Sequence, residues 1–408
     1  MRILWLGHFV PWPLRGGNLI RSYHLIREAA IGNEVSFLGF KQRELLDSED
    51  LHREAHTELR MICSGVQTLP IPREFGPLPK HRIMARSLLS RSYDEVWLDS
   101  RAMRKTIGEE IARFSPDVVH FDTLGLAQYA TLFNGQSLIL NHHNIESHMM
   151  RRRAELKSGS LLACILRLQA DRLQQAERRS ARYFCAHLVV SELDKQRLQE
   201  VIPGSRMAVI SNGVDLQYFR PRDATASFEP ASTIFVGGLN WYPNRRGVKW
   251  FLSEVYPRIV KEFPEARFTM VGRCDDRFRA DLLRHGSGVE MTGEVEDIRP
   301  FVAKSAVYVC PIHEGGGTRL KILDAMAQGI PLVATTMAVE GIGIKADEHA
   351  LLADDAIGFA RLVIEVIRRP ELGRKLAAAA YDLVAASYSW ESIGIRLRSV
   401  YESTRKAR

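Results

Sequence analysis

Cysteine is scarce in this 408-residue chain: Cys63, Cys164, Cys185, Cys274 and Cys310 are scattered, odd in number and without a CxxC pair. That usage argues against a disulfide framework and a thiolate zinc site, and it fits reduced thiols in a cytoplasmic protein. Long apolar runs are also missing. None approaches the roughly 20 residues that span a bilayer, so any membrane association is expected to be peripheral, on the inner face of the cell membrane. The start, Met1 to Gly7, has one basic residue and an apolar stretch too short for a secretory signal, so it reads as a first strand. No GxGxxG fingerprint follows it, which leaves a dinucleotide site unsupported. Helix-turn-helix, zinc-finger and RNA-module signatures are absent and the basic stretches lack interleaved aromatics, so nucleic acid is not expected as a partner. The acidic pair Asp275-Asp276 reads as a solvated turn, and neither a metal nor a bound cofactor is expected.

What is present is a chain of globular balance, 46% hydrophobic and 25% charged, with a net charge of +8 that favours anionic company such as nucleotide phosphates or an anionic membrane. Its length exceeds what one core usually supports, so two domains are expected. Short β-rich runs alternate with helical stretches: Ile3 to Leu6, Val35 to Phe40, Val66 to Ile71, Val118 to Phe121, Leu138 to His142, Leu188 to Ser191 and Ala208 to Ser211. The polar, proline-bearing stretch that follows reads as a linker. The pattern then restarts at Thr233 to Val236, Phe268 to Val271, Val289 to Thr292, Val307 to Pro311 and Leu332 to Thr335, with helices at Val248 to Glu262 and Leu320 to Gln328. The class is α/β, with two Rossmann-like domains. The expected division is 1–218, a linker at 219–232, a second domain at 233–385 and a closing helix at 386–408. Ligands in such sheets sit beyond the carboxyl ends of the strands.

One stretch stands out, Pro311-Ile312-His313-Glu314-Gly315-Gly316-Gly317-Thr318-Arg319-Leu320-Lys321-Ile322-Leu323-Asp324-Ala325-Met326-Ala327-Gln328-Gly329. A strand runs into glycines and then a helix start, which brings bare N–H groups and a positive helix end together, as a diphosphate requires. Helical spacing puts Lys321, Asp324 and Gln328 on one stripe. Asp324 would accept from two neighbouring ribose hydroxyls, while Lys321 and Arg319 screen phosphate charge. The alternative is a glycine turn whose Lys321 and Asp324 form an i,i+3 surface pair. In Phe235-Val236-Gly237-Gly238-Leu239-Asn240-Trp241-Tyr242-Pro243-Asn244-Arg245-Arg246-Gly247, the cations Arg245 and Arg246 open a helix against its macrodipole, a conflict an anion would resolve.

These segments resemble family 4 of the glycosyltransferases. Its loop-helix motif pairs a Glu with a second Glu eight positions on, followed by Ala-Met-Ala and Gly; here Asp324 stands in the second slot, Gly316 in the first, and Glu314 lies two residues earlier. A bacterial exopolysaccharide-type branch shares Gly-Gly-Gly-Thr-Arg-Leu-Lys. The family places an Arg and a Lys on the diphosphate where Gly238 and Arg246 stand here. The resemblance implies the GT-B architecture, two Rossmann-like domains facing across a deep cleft, with retaining transfer of a sugar from a UDP- or GDP-linked donor. Donor contacts are then expected from Gly238, Arg245, Arg246, Arg273, Val295, Glu314, Gly315, Gly316, Gly317, Thr318, Arg319, Lys321 and Asp324. The N-terminal Gly16 and Gly17, before Asn18 as a helix cap, would add to the phosphate site. Lys321 and Arg246 would stabilise the departing phosphate, and Asp122 and His143, just past two strands, would line the pocket of a glycan or lipid-linked acceptor.

The basic stretch Met149 to Tyr183, with Leu161, Leu162, Ile165 and Leu168, reads equally as a membrane-docking helix or as one packed inward. A sugar-nucleotide epimerase of the same architecture and a noncatalytic sugar-nucleotide binder remain open alternatives.

Overall fold

The computed structural model describes the chain except residues 15, 44, 47, 75–78, 89–90, 158, 223–227, 287, 316 and 407–408. It divides into two compact units, Met1–Ser211 with Ile393–Arg408, and Asn212–Ser392. Part of the expected linker lies outside the described residues.

Unit 1 is built on seven parallel strands: β1 (Arg2–Gly7), β2 (Glu34–Lys41), β3 (Gly65–Pro70), β4 (Val118–Phe121), β5 (Ser137–Asn141), β6 (Ala186–Val189) and β7 (Met207–Val209). Their order is β3-β2-β1-β4-β5-β6-β7. Helices cover both faces of such a sheet, which is why these strands read as continuous apolar runs rather than alternating ones. Leu4 and Leu6 of β1, Val119 and Phe121 of β4, and Leu138 and Leu140 of β5 meet Leu173 and Phe184 in one core. Burying such a side chain contributes roughly 1.5–3 kcal/mol. Strand β6 starts earlier than the sequence suggests, because His187 is buried within it and Ser191 caps the following helix by accepting from the Asp194 N–H at 3.1 Å. The closing helix is Trp390–Lys406, and from Ile393 onward it belongs to unit 1. There the Tyr401 hydroxyl lies 2.8 Å from His120 Nδ1, and Arg398 donates to the Glu28 carbonyl at 2.8 Å.

Unit 2 carries β8 (Glu229–Val236), β9 (Arg267–Val271), β10 (Val289–Gly293), β11 (Ser305–Cys310), β12 (Leu332–Ala334) and β13 (Leu351–Leu352). All are parallel, in the order β10-β9-β8-β11-β12-β13. Phe235, Phe251, Phe268 and Phe359 fill its interior. The helix expected from Val248 begins earlier, at Tyr242, with Pro243 in its first turn, where a missing N–H costs nothing. It continues to Glu262 through a π turn at Phe251–Val255, just ahead of Pro257, whose ring cannot follow a regular α-helix.

In each sheet the strand order reverses once, between β1 and β4 in unit 1 and between β8 and β11 in unit 2. The crevice beyond the strand ends at such a reversal is where open α/β sheets bind ligands.

Candidate functional site

In unit 2 the loops after β8 and β11 and the helix Leu320–Ala327 build one polar cluster. Gly237 follows β8 with φ +151°, and a Cβ there would stand 2.4 Å from Lys321 Nζ. Only glycine lets the backbone lie that close to the ammonium. Gly247, in the helix Tyr242–Trp250, does the same for the second loop, since a Cβ would fall 2.3 Å from the Pro311 carbonyl oxygen. Asn244 is the hinge pin between them. Buried to 6% exposure, it donates to the Gly238 carbonyl at 2.8 Å and accepts from Lys321 Nζ at 2.8 Å. The Lys321 ammonium also lies 4.5 Å from the centre of the Phe235 ring, a cation–π contact. Burial lowers the Lys321 pKa to about 8, against the opposing pull of the Cys310 and Asp324 side chains.

Asp324 follows one turn later. Burial raises its carboxyl pKa to about 8, with Lys321 holding it back, and among the described residues no hydrogen bond or ion pair reaches its carboxylate. The pair is thus not an i,i+3 surface contact, because the lysine is given to Asn244. Gln328 leaves the expected stripe: it is buried and its amide turns back to the Asp324 carbonyl at 3.1 Å, closing the helix end.

The two arginines are paired. Arg246 meets Glu314 at 2.9 Å, with Glu314 buried and Arg246 largely exposed, and Arg245 meets Asp275 at 2.8 Å while lying over the Phe278 ring at 3.9 Å. Carboxylates therefore supply the anions that these cations require near a helix start. Gly315 and Gly317 both take positive φ, and Arg319 precedes the helix Leu320–Ala327 and donates to the Gly317 carbonyl at 2.8 Å. Thr318 accepts from Asn212 at 2.6 Å. Gly316 lies outside the described residues. Arg273 is exposed beyond β9, with its carbonyl accepting from the Leu239 N–H at 2.8 Å beside Gly238, and Val295 is half-buried beyond β10. Asn244 had no assigned role in the sequence reading. A buried asparagine at a helix start reads as a cap until its lysine partner, far along the chain, is located.

In unit 1 the ends of β1, β4 and β5 bring His8, Asp122 and His143 together. Asp122 is fully buried. It accepts from the Ser22 hydroxyl at 2.7 Å and the Asn141 amide at 3.0 Å, and lies 3.3 Å from His143 Nε2. Burial works against its ionisation, yet the imidazoles of His143, His8 and His120 hold its carboxyl below the usual range. Arg21, buried, fixes Asn141 at 3.0 Å and donates to the carbonyls of Ile210 and Ser211 at 2.7 and 2.9 Å. Burial pushes His8 and His120 each down to about 3, so both are neutral. Arg21 and Ser22 were missed in the sequence. Two polar residues on the inner stripe of a helix that also buries Leu19, Leu25 and Ile26 are the signal that would have found them. Gly16 and Gly17 are exposed at the start of that helix, and Gly16 with φ +99° is the cap, so Asn18 lies inside the first turn.

The basic helix Leu161–Ser180 opens with Leu161 at 79% and Leu162 at 50% exposure, while Ile165 and Leu168 are partly buried. No helix of the described residues is long and apolar enough to cross a membrane.

Comparison with known proteins places these features in a wider set. The description Glycosyltransferase Family 4 matches residues 49–218, and Glycosyl transferases group 1 matches residues 230–369. The phosphatidyl-myo-inositol mannosyltransferase of Mycolicibacterium smegmatis is 28% identical over 227 residues, covering 53% of this chain and 56% of that protein. The lipopolysaccharide core biosynthesis glycosyltransferase LpsE of Rhizobium meliloti is 27% identical over 171 residues, 40% of this chain and 48% of its own. The match thus spans about half the length of these curated relatives. Among solved structures, sucrose-phosphate synthase of Thermosynechococcus elongatus superposes with a TM-score of 0.71 at 16% identity, covering 100% of both chains. HepE of Anabaena, solved in complex with UDP, superposes with a TM-score of 0.68 at 14% identity, covering 99% of this chain and 100% of its own. At these identities the structural likeness concerns the fold, GT-B.

Proposed function

We propose, for a chain that belongs to glycosyltransferase family 4, that it transfers a sugar from a nucleoside diphosphate donor to an acceptor in cell-surface glycan synthesis. Unit 2 binds the donor and unit 1 the acceptor. One observation carries this reading: the Asp324 carboxyl, partly buried one helical turn beyond Lys321 and without a hydrogen-bond donor among the described residues, beside a loop that carries Gly315 and Gly317 and leads into a helix start. A partly desolvated carboxylate without donors is costly, and two vicinal ribose hydroxyls would supply them. HepE, crystallised with UDP, supports a nucleotide as the occupant of this fold.

Catalysis on this reading is positioning plus charge stabilisation. Lys321, fixed by Asn244, and Arg246 neutralise the departing diphosphate. Front-face attack retains the anomeric configuration, and the leaving phosphate oxygen takes the acceptor proton, so no separate protein base is required. Asp122 and His143 orient the acceptor hydroxyl. Thermal-shift screening against UDP- and GDP-sugars tests the donor site, since native-state binding raises apparent stability by mass action. Selective stabilisation by one donor is expected, and NMR of the product should show a retained anomer. Lys321→Ala and Arg246→Ala are expected to lose turnover while staying folded; normal turnover in both would remove the assignment.

The acceptor is read as lipid-linked. Exposed Leu161 and Leu162, at a helix start that follows the exposed Lys157, suit an anionic bilayer surface. Flotation with anionic vesicles at physiological salt is the test, and failure of the full chain to float would withdraw this part.

A further inference from the structure

We infer that Asn212 is a positioning residue of the donor site, which turns the Thr318 hydroxyl so that its hydrogen meets a phosphate oxygen of the donor. The inference rests on the donor reading of unit 2. In the sequence, Asn212-Gly213-Val214-Asp215 reads as a plain turn ahead of the linker. The structure gives three of its residues separate tasks within unit 2. The Val214 N–H donates to the Tyr388 carbonyl at 2.8 Å, and the Asp215 carboxylate accepts from the N–H groups of Gln217 and Tyr218 at 2.9 and 3.0 Å. Asn212, buried, sends its amide nitrogen to Thr318, 2.6 Å from Oγ1 and 3.3 Å from the carbonyl oxygen.

Those two contacts settle the direction of the bond. A carbonyl oxygen can only accept, so the side of the Asn212 amide turned to Thr318 is its NH2 group and not its oxygen. The Thr318 hydroxyl oxygen therefore accepts as well, and its own hydrogen points elsewhere. Among the described residues no acceptor holds that hydrogen. Thr318 is only half-buried, and it stands between Gly317, with φ +73°, and the helix Leu320–Ala327 that carries Lys321 and Asp324. A diphosphate oxygen in this loop gives the hydroxyl a charged acceptor, the stronger kind of hydrogen bond. Glycines leave such a loop with few side chains to fix it, and Asn212 supplies the missing constraint. The same segment also ties the other end of the helix. The Arg222 N–H donates to the Gln328 carbonyl at 3.1 Å, and the Arg222 guanidinium donates to the Ser305 carbonyl at 2.9 Å. Residues 212–222 thus hold the donor helix just ahead of its start and just past its end.

The experiment is calorimetry of the full chain with UDP and GDP, and with uridine and guanosine in parallel, on the wild type, Asn212→Ala, Thr318→Val, Thr318→Ser and the double variant Asn212→Ala/Thr318→Val. The diphosphate that the wild type binds is expected to bind about ten- to hundredfold more weakly to Thr318→Val, which loses a hydrogen bond to a charged group. Thr318→Ser keeps the hydroxyl and should stay within about threefold of the wild type. Asn212→Ala keeps the hydroxyl but no longer turns it, and should bind about three- to tenfold more weakly. The double variant should bind no more weakly than Thr318→Val, because Asn212 acts through that hydroxyl. Affinity for the nucleoside alone, whose ribose is held by Asp324, should be unchanged throughout, whereas a general loosening of loop and helix would lower it too. Wild-type diphosphate affinity in Asn212→Ala, losses that multiply in the double variant, Thr318→Ser as weak as Thr318→Val, or an equal loss for the nucleoside each overturns the inference. If Asn212→Ala does not fold, Asn212→Ser takes its place under the same outcomes, and wild-type affinity in Thr318→Val overturns the inference in either case. Diphosphate binding that every variant leaves unmoved removes this inference alone. A wild type that binds neither UDP nor GDP removes the donor reading, and this inference with it.

Discussion

Replacing Asp324 by asparagine should make the ligand-free protein more stable and abolish its response to nucleotide. Burial raises this carboxyl from 3.8 to about 8, so between about pH 4 and pH 8 the native state holds a proton that the unfolded chain has released. In that window stability falls as pH rises, by about 1.4 kcal/mol per pH unit. The cost is absent below the unfolded pKa and complete above the folded one. At neutral pH it is at most about 4 kcal/mol, and partial solvent access to the carboxyl together with the lost compensation from Lys321 trims the gain in Asp324→Asn to about 2–3 kcal/mol. For a unit of this size that is roughly 5–15 °C in Tm. Differential scanning fluorimetry of both proteins from mildly acid to mildly alkaline pH should give curves that converge near pH ~4 and diverge steadily above it. A donor sugar that stabilises the wild type should leave the variant unmoved. A pH-independent difference, or a variant less stable at neutral pH, would refute the reasoning.

Three further outcomes follow from the same geometry. Asn244→Ala removes a buried, charge-assisted hydrogen bond to Lys321 and should cost about 1.5–3 kcal/mol of stability, read as a lower Tm, together with weaker donor binding. Glu314→Gln frees Arg246 and should tighten binding of the nucleoside diphosphate by a few-fold, about 1 kcal/mol at a solvent-exposed cation. Calorimetry with the diphosphate alone and with the nucleotide sugar separates this from a sugar-binding role, in which only the sugar nucleotide would weaken. In unit 1, His8, His120, His142 and His187 are held neutral by burial, His8 and His120 to about 3 and His187 to about 4. Below about pH 6.5 the unfolded chain gains protons on these imidazoles that the native state refuses, while Asp94 and Glu146, whose carboxyl pKa values burial raises, hold protons in the native state and offset part of the loss, so stability should still drop, by about 1–3 kcal/mol per pH unit under mild acid, and a Tm that rises from neutral to pH ~5 would contradict it.

Most of the scaffold was legible because buried parallel strands are apolar runs. Thus β1, β2, β4, β8 and β11 were placed within a few residues from their Val, Ile, Leu and Phe content. Strand β13 was missed because Leu351–Leu352 is too short to show a period. The Tyr242 helix starts ahead of Arg245 and Val248, where the residue pattern placed an opening, because Pro243 fits its first turn and carries no apolar period to mark it. The site was legible where one segment held it, as in the stretch from Glu314 to Asp324. It was illegible where partners come from distant segments. Lys321 to Asn244, Arg246 to Glu314, Arg21 to Asn141 and His8 to His143 are each contacts between residues whose spacing in sequence carries no signal. The motif that places Lys321 says nothing about the asparagine that aims it.

Both units leave ionisable groups incompletely compensated at the place where their strand order reverses, but with opposite protonation sense. At the reversal in unit 1 the buried imidazoles of His8 and His120 are kept neutral, so acid removes stability there. In unit 2 the partly buried Asp324 is kept protonated, so base removes it. Near neutral pH unit 1 is past its transition, while unit 2 still carries most of the cost of Asp324. A ligand whose hydroxyls favour the ionised carboxylate offsets that cost where it is largest. Nucleotide-induced stabilisation should therefore grow from acid toward neutral pH, as far as the Lys321 ammonium, with its own pKa lowered to about 8, stays charged to meet the phosphates. The same burial that weakens the empty site makes the carboxylate selective for a donor pair at one separation, because a single hydroxyl or a water entering from solvent satisfies only part of what desolvation took away.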